Sequence, residues 1–311
     1  MSEEKDDDTN TMKMFCASCG VAEVDDVKLK DCDDCGLVRY CSDDCKEDHR
    51  PQHEEECKKR AAELKDEILF KQPEGSCYGD CPICCLPVPL ELSKSTLYSC
   101  CSKRICKGCS YANQKREAEG RLRFKCPFCR TAVPNTGAEI IELLMKRIEA
   151  NDPVAIRRIG TIRYDEGDYN SAFEHWTKAA ALGDVRAHYE LSIMYDEGEG
   201  VEKDEERALH HLTEAAIGGH PHARHNLGCI EGGNDRVDRA AKHFIIAAKL
   251  GYDDSLGNVK ILYTDGHVSK EDFAAALRGH HAVIKAMKSP QREEAAVFYK
   301  IYNGLGSALG S

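Results

Sequence analysis

ALGDVRAHYELSIMYDEGEGVEKDEERALHHLTEAAIGG, residues 181–219, aligns with the segment that follows it, GGHPHARHNLGCIEGGNDRVDRAAKHFIIAAKLG, residues 218–251. Pairs of alanines closed by a glycine recur at Ala180–Gly183, Ala215–Gly218 and Ala247–Gly251, a period of roughly 32 to 36 residues. A repeat of that length reads as stacked helical pairs, because a lone pair cannot bury its apolar face and its neighbours must cover it. Small residues let paired helices approach, Tyr164, Trp176, Tyr189, Tyr195 and Phe244 fill the layer between pairs, and glycines end helices. The spacing predicts four pairs, 153–183, 184–219, 220–251 and 252–287, the last degenerate as a capping unit would be. Ahead of them Ile140, Ile141, Leu144, Met145 and Ile148 fall on one helical stripe, so the all-α region is expected over 137–288. Within it His210, His211, His220, His222 and His225 have no ligand types around them in a consistent geometry and read as surface residues. Cys229 reads as a buried thiol on an apolar helix face, and residues 289–311 as a tail, flexible after Ile301.

Seventeen of the eighteen cysteines lie between Cys16 and Cys129, so the first half of the chain obeys a different logic. The opening MSEEKDDDTN lacks the basic start and apolar run of a signal peptide, which leads us to expect reduced thiols and a cytoplasmic or nuclear chain. Reduced cysteines in C-x2-C spacing hold metal more often than they bridge. No stretch approaches the ~20 apolar residues that cross a bilayer. Residues 1–75 carry 12 basic and 22 acidic residues, 76–135 carry 10 and 4, and the rest 21 and 28. Acidic flanks argue against general nucleic-acid binding, and no module interleaves aromatics with a basic groove. The basic middle reads as the solvated face of a small metal module. We expect residues 1–15 to be a disordered acidic N-terminus.

Two sets of eight donors stand in the cysteine-rich half. The first runs Cys16-x2-Cys19, Cys32-x2-Cys35, Cys41-x3-Cys45 and His53-x3-Cys57, enough for two tetrahedral zinc ions. Its large apolar residues are few, so metal must supply much of its folding free energy. The second set joins the knuckles Cys81-Pro-Ile-Cys84 and Cys126-Pro-Phe-Cys129 to the stretch CCSKRICKGC, Cys100–Cys109. Proline after the first cysteine fixes φ and stiffens each knuckle. Lys103, Arg104, Lys107, Lys125 and Arg130 are placed to offset thiolate charge. Between the sets, Ala61, Leu64, Ile68 and Leu69 predict a linker helix over 58–75 that packs on the first finger.

The first set, with RYCSDDCKEDHRPQHEEEC over residues 39–57, resembles the MYND zinc finger. The resemblance implies interleaved sites at 16–57: Cys16, Cys19, Cys41 and Cys45 on one ion, and Cys32, Cys35, His53 and Cys57 on the other. His49 is left as a surface residue. The family binds short, often proline-containing peptides of partner proteins; here Arg50 stands where it usually has tryptophan, so a peptide-binding finger and a zinc-stapled spacer both stay open. The second set, within 77–134, resembles a RING finger, whose first and third ligand pairs share one ion. That implies Cys81, Cys84, Cys106 and Cys109 on a third ion. Cys126 and Cys129 then need two partners between Leu97 and Lys103, where Cys100 and Cys101 replace the usual histidine. Adjacent ligands are awkward because neighbours in an extended strand point apart, so a site completed by Cys85 or Cys77 is the rival.

Many RING fingers act as ubiquitin ligases, with no nucleophile of their own, by holding a charged conjugating enzyme in a reactive conformation. The positions that make this contact in the family are Ile83, Pro127 and Arg130 here. An active ligase, with a ubiquitin-conjugating enzyme and ubiquitin as partners, and a non-enzymatic scaffold are both compatible with them. The repeats are similar to Sel-one-like repeats, relatives of tetratricopeptide repeats, with the G-x-G-V-x2-D loop at Gly198–Asp204; the resemblance implies a surface that binds proteins. The expected chain is multidomain: two small zinc-stapled α+β fingers, four Zn2+ ions between them, followed by an all-α helical-repeat solenoid.

Overall fold

The structure, a computed structural model, describes residues 15–308, with side chains as far as Ile301. The expected N-terminal segment 1–15 lies outside the described residues except for Phe15. The chain divides into two compact units, the first ending at Lys71 and the second beginning at Gln72.

The first unit is built on turns rather than on sheets. A two-residue ladder, β1 (Lys30–Asp31) against β2 (Arg39–Tyr40), brings the second knuckle next to the chain that enters helix α1 (Asp43–Leu69). Ser42 caps α1 by accepting from the Cys45 amide. The core is small: Leu29 and Tyr40 pack among Cys16, Cys32 and Cys35. The expected linker helix 58–75 is not a separate element, because α1 runs without a break from the third knuckle to Leu69, and Ile68 on it is exposed.

The second unit opens with a finger whose hairpin, β3 (Ser95–Tyr98) and β4 (Lys103–Cys106), leads directly into α2 (Lys107–Glu119). Val88, Tyr98 and Ile105 form its apolar centre among buried cysteines. Helix α3 (Gly137–Glu149) then starts the all-α part. Leu144 is fully buried against Ala155 and Ile159, whereas Met145, expected on the same stripe, is 48% exposed. Met145 lies about 100° round the helix from Leu144, which leaves it largely in solvent.

Six helices of thirteen residues each follow: α4 (Pro153–Asp165), α5 (Tyr169–Ala181), α6 (Val185–Glu197), α7 (Glu205–Ile217), α8 (Pro221–Gly233) and α9 (Val237–Lys249). The uneven period has a local cause. The helices are equal in length, and the middle pair is joined by the longer loop Gly198–Asp204, closed by Gly198 in the left-handed region. Close approach repeats with it. A Cβ on Gly160 would lie 2.6 Å from the Trp176 ring, and one on Gly228 2.6 Å from the Phe244 ring; Ser192 and Leu212 occupy the equivalent positions between them. Asp152, Asp168, Asp184 and Asp204 cap their helices. The fourth pair, α10 (Asp253–Thr264) and α11 (Lys270–Ala286), packs through Val259, Val268 and Ala276 onto Phe244.

Further expectations change here. Residues 290–308 form a helix, α12, and not a tail; Phe298 and Tyr299 pack on Tyr111 of α2, and Ala295 is buried. His220 is buried because it takes the place of the capping aspartates: its Nδ1 accepts from the Ala223 amide, and its ring stacks on Tyr189 at 4.2 Å. Cys229 is exposed, one turn from His225. His49 is half-buried, its Nδ1 3.1 Å from the Tyr40 hydroxyl and its ring stacked on His53.

Candidate metal centres

Four knuckles share one local geometry. In each, the residue after the second cysteine adopts positive φ and its N–H donates to the carbonyl of the first cysteine: Gly20 to Cys16, Gly36 to Cys32, Cys85 to Cys81 and Arg130 to Cys126, at 2.8–3.0 Å. Glycine takes this conformation freely; Cys85 and Arg130 take it at a cost of order 1 kcal/mol, which the surrounding cage must offset.

The donor atoms gather into four clusters, each with all atoms within 4.8 Å of one another: Cys16, Cys19, Cys41 and Cys45; Cys32, Cys35, His53 and Cys57; Cys81, Cys84, Cys106 and Cys109; Cys100, Cys101, Cys126 and Cys129. Four sulfurs about 2.3 Å from a tetrahedral ion stand about 3.8 Å apart. Observed separations are close to that value, at Cys19–Cys41 3.6 Å, Cys32–Cys57 3.7 Å, Cys84–Cys106 3.8 Å and Cys101–Cys126 3.6 Å, with Cys100–Cys129 shorter at 3.3 Å. None of the cysteines is in a disulfide. The donor sets therefore fit Zn2+, which would be held by three thiolates and an imidazole in one cluster and by four thiolates in each of the other three.

The hairpin explains how adjacent cysteines converge. Cys100 and Cys101 are in the turn between β3 and β4, where Cys101 and Ser102 amides both donate to the Tyr98 carbonyl and Ser102 has φ 55°. The alternation that sends strand neighbours to opposite faces does not hold in such a turn. Cys85 and Cys77 are outside the clusters: Cys85 is exposed at its left-handed position, and Cys77 donates its amide to Gly219 in the repeats.

Electrostatics differ within each cage. Burial acts to raise the Cys16 thiol, but amides of Cys19, Cys41 and Ser18 outweigh it and bring it to about 6; burial is likewise outweighed at Cys81, held at about 7, and Cys129, at about 6. Hydrogen bonding to Cys19 and Cys45 pushes Cys41 up to about 12, and burial pushes Cys57 to about 12. A divalent cation removes this conflict by stabilising all the thiolates at once. Burial lowers His53, which keeps it in the neutral form a metal requires.

The expected counter-charges are arranged differently. Lys103 lies over the Phe128 ring, Lys107 over Tyr299, and Arg104 donates to Ser95. The cation that reaches a thiolate is Arg292 on α12, 3.4 Å from Cys84 Sγ, which also donates to the carbonyls of Leu86 (3.1 Å) and Pro87 (2.8 Å). No local motif announces it, since 208 residues separate it from Cys84. Of the expected contact residues, Ile83 is 45% exposed, Pro127 is half-buried, and Arg130 is exposed with its guanidinium 3.8 Å from buried Glu117. Arg50 lines a cavity of about 280 Å3 on the first finger with Tyr40, Lys46 and Glu54.

Two parts of the chain match known families. Residues 16–57 match the MYND finger family, and residues 153–184, 185–220 and 221–252 match the Sel1 repeat. Mouse DAP3-binding cell death enhancer 1 is 21% identical over 203 residues, covering 52% of this chain; the chain spans only 40% of that protein. A Sel1 repeat protein from Oxalobacter formigenes is 26% identical over 49% of this chain and 66% of its own, with a TM-score of 0.40. A protective antigen with an SLR fold from uropathogenic Escherichia coli is 24% identical over 54% of this chain and 36% of its own, with a TM-score of 0.39. No helix among the described residues is long and apolar enough to cross a membrane. The chain carries a MYND finger over residues 16–57 and Sel1 repeats over residues 153–252.

Proposed function

We propose that this zinc-binding protein-interaction adaptor uses its second finger to recruit a ubiquitin-charged conjugating enzyme, while the MYND finger and repeats bind the protein to be modified. The observation that carries the reading is Ile83: a β-branched apolar side chain, 45% exposed, at the tip of a metal knuckle. Holding such a residue in water on a cage-stiffened loop is consistent with a surface kept for a partner. Pro127, directly after the first cysteine of the last knuckle, would add to the contact, and Arg130 would bridge to ubiquitin. The finger supplies no nucleophile; its contribution would be to restrict the conformations of the thioester-linked pair. The mouse relative is named for binding a protein, which supports a protein-binding role for this chain.

A scaffold without ligase activity is the second reading, favoured by Arg130. Its ion pair with Glu117, whose carboxylate also accepts from the Lys125 amide and Asn113, gives the guanidinium an intramolecular task. Incubation with a broad panel of ubiquitin-charged conjugating enzymes separates the two. The ligase reading expects accelerated discharge that Ile83→Ala and Arg130→Ala each abolish; background-level discharge by the native chain across the panel overturns it.

A further inference from the structure

Where the second finger meets the repeats, four guanidiniums converge: Arg104 from β4, Arg157 and Arg158 from α4, and Arg186 from α6. Two adjoining cavities, of about 470 and 380 Å3, share Leu97, Arg104, Arg157 and Arg186 in their walls. These volumes fall within the roughly 300–1,000 Å3 of ordinary small-ligand sites.

The charges do not balance. Arg157, 3% exposed, is paired with Asp184 at 3.0 Å. Arg186 makes no ion pair among the described residues, lies over the Tyr78 ring at 5.4 Å, and has its Nε buried without a hydrogen-bond partner. Arg104 donates to the Ser95 hydroxyl, at 2.7 Å, and to no carboxylate. Burial, and then repulsion from Arg186, Arg157 and Arg158, brings its pKa down to about 10. Of the remaining acids, Asp80 on the wall of the larger cavity is exposed, and burial raises the pKa of Glu190, one turn along α6, which is attracted to Arg186 and Arg157 but forms no ion pair with either among the described residues. Cations held together this way, with an unmet donor beside a cavity, need counter-charge from a ligand.

We propose that this junction is an anion site that takes a phosphate dianion, either free phosphate or a phosphate monoester. Guanidinium forks match the oxygens of such a group better than they match a halide. Because Arg104 belongs to the finger and Arg157 and Arg186 to the repeats, occupancy would hold the finger against the repeats. The site is independent of any ligase activity.

Calorimetry on the full zinc-loaded chain, with inorganic phosphate and with phosphoserine at ionic strength matched by chloride, tests it. The expected result is saturable one-to-one binding, weakened roughly tenfold or more by Arg186→Gln and, separately, by Arg104→Gln. Tighter binding of phosphoserine than of phosphate assigns the site to a monoester, and equal binding assigns it to the free ion; either supports the proposal. Absence of saturable binding of both probes by the native chain overturns it. Binding unchanged in both variants also overturns it, and the two variants alter different elements, so misfolding of one leaves the other to decide.

Discussion

Arg292→Ala removes the cation that α12 lays against the third metal cage. The side chain donates to the carbonyls of Leu86, Pro87 and Met287 and to Cys84 Sγ. Charged hydrogen bonds contribute about 1.5–3 kcal/mol each when isolated. These four share one half-buried group and are not additive, so a total of about 2–3 kcal/mol is reasonable. An independent scale agrees: loss of a partner of a metal ligand costs about 10–100-fold in metal affinity, or about 1.4–2.7 kcal/mol. We therefore expect one of four zinc ions to transfer to a chromogenic chelator about 10–100-fold faster in the variant, with the other three unchanged. Arg292→Lys should keep only part of the stabilisation, because a single ammonium nitrogen cannot reach all four acceptors that the two terminal guanidinium nitrogens share. Uniform acceleration of all four ions would mean general unfolding, and an unchanged release profile would refute the role assigned to α12.

The glycines of the repeats separate sterics from propensity. Gly228→Ala drives a Cβ into the Phe244 ring and should destabilise by about 1–2 kcal/mol in chemical denaturation, whereas Gly257→Ala, with nothing within 4 Å, should stabilise by about 0.5–1 kcal/mol. Native mass spectrometry should count four zinc ions, and three in Cys100→Ser and in Cys101→Ser, with Cys77→Ser and Cys85→Ser keeping four. Acid should weaken the repeats. Burial lowers His211 to about 4 and also lowers His188 and His220, so the unfolded chain binds more protons below its ordinary histidine range. Stability from these groups is complete above pH ~6.5 and lost as pH falls toward 4, by roughly 1–2 kcal/mol for half-exposed His211 after solvent screening. Fluorescence of Trp176, the single tryptophan, reports it from within the repeats, and His211→Gln should reduce the pH dependence.

The zinc spacings and the helical period are legible because both are local. A knuckle needs two cysteines and a turn, and a thirteen-residue helix shows its apolar stripe within its own length. The pairing of Gly160 with Trp176 and of Gly228 with Phe244 emerges only from the structure, because each joins residues on two different helices. His220 is not legible either, because a histidine in a capping position looks like any other until the aspartates at the equivalent positions are set beside it. Cys229 misleads because its neighbouring apolar residues suggest burial on a face that leaves the thiol exposed.

By itself the sequence determined which donors were available, that they were too many and too regularly spaced for a simple core, and that the second half repeats. It left open whether Cys100 and Cys101 could reach one ion, it named Lys103, Arg104, Lys107, Lys125 and Arg130 but not Arg292 to answer the thiolate charge, and it read a tail where residues 290–308 form a helix. Tertiary structure decided each of these: the β3–β4 turn aims two neighbours at one point, α12 returns Arg292 to the finger, and four arginines from three elements meet at one junction. Such contacts depend on how separately formed elements pack, and packing brings together residues whose distance along the chain carries no information about their distance in space.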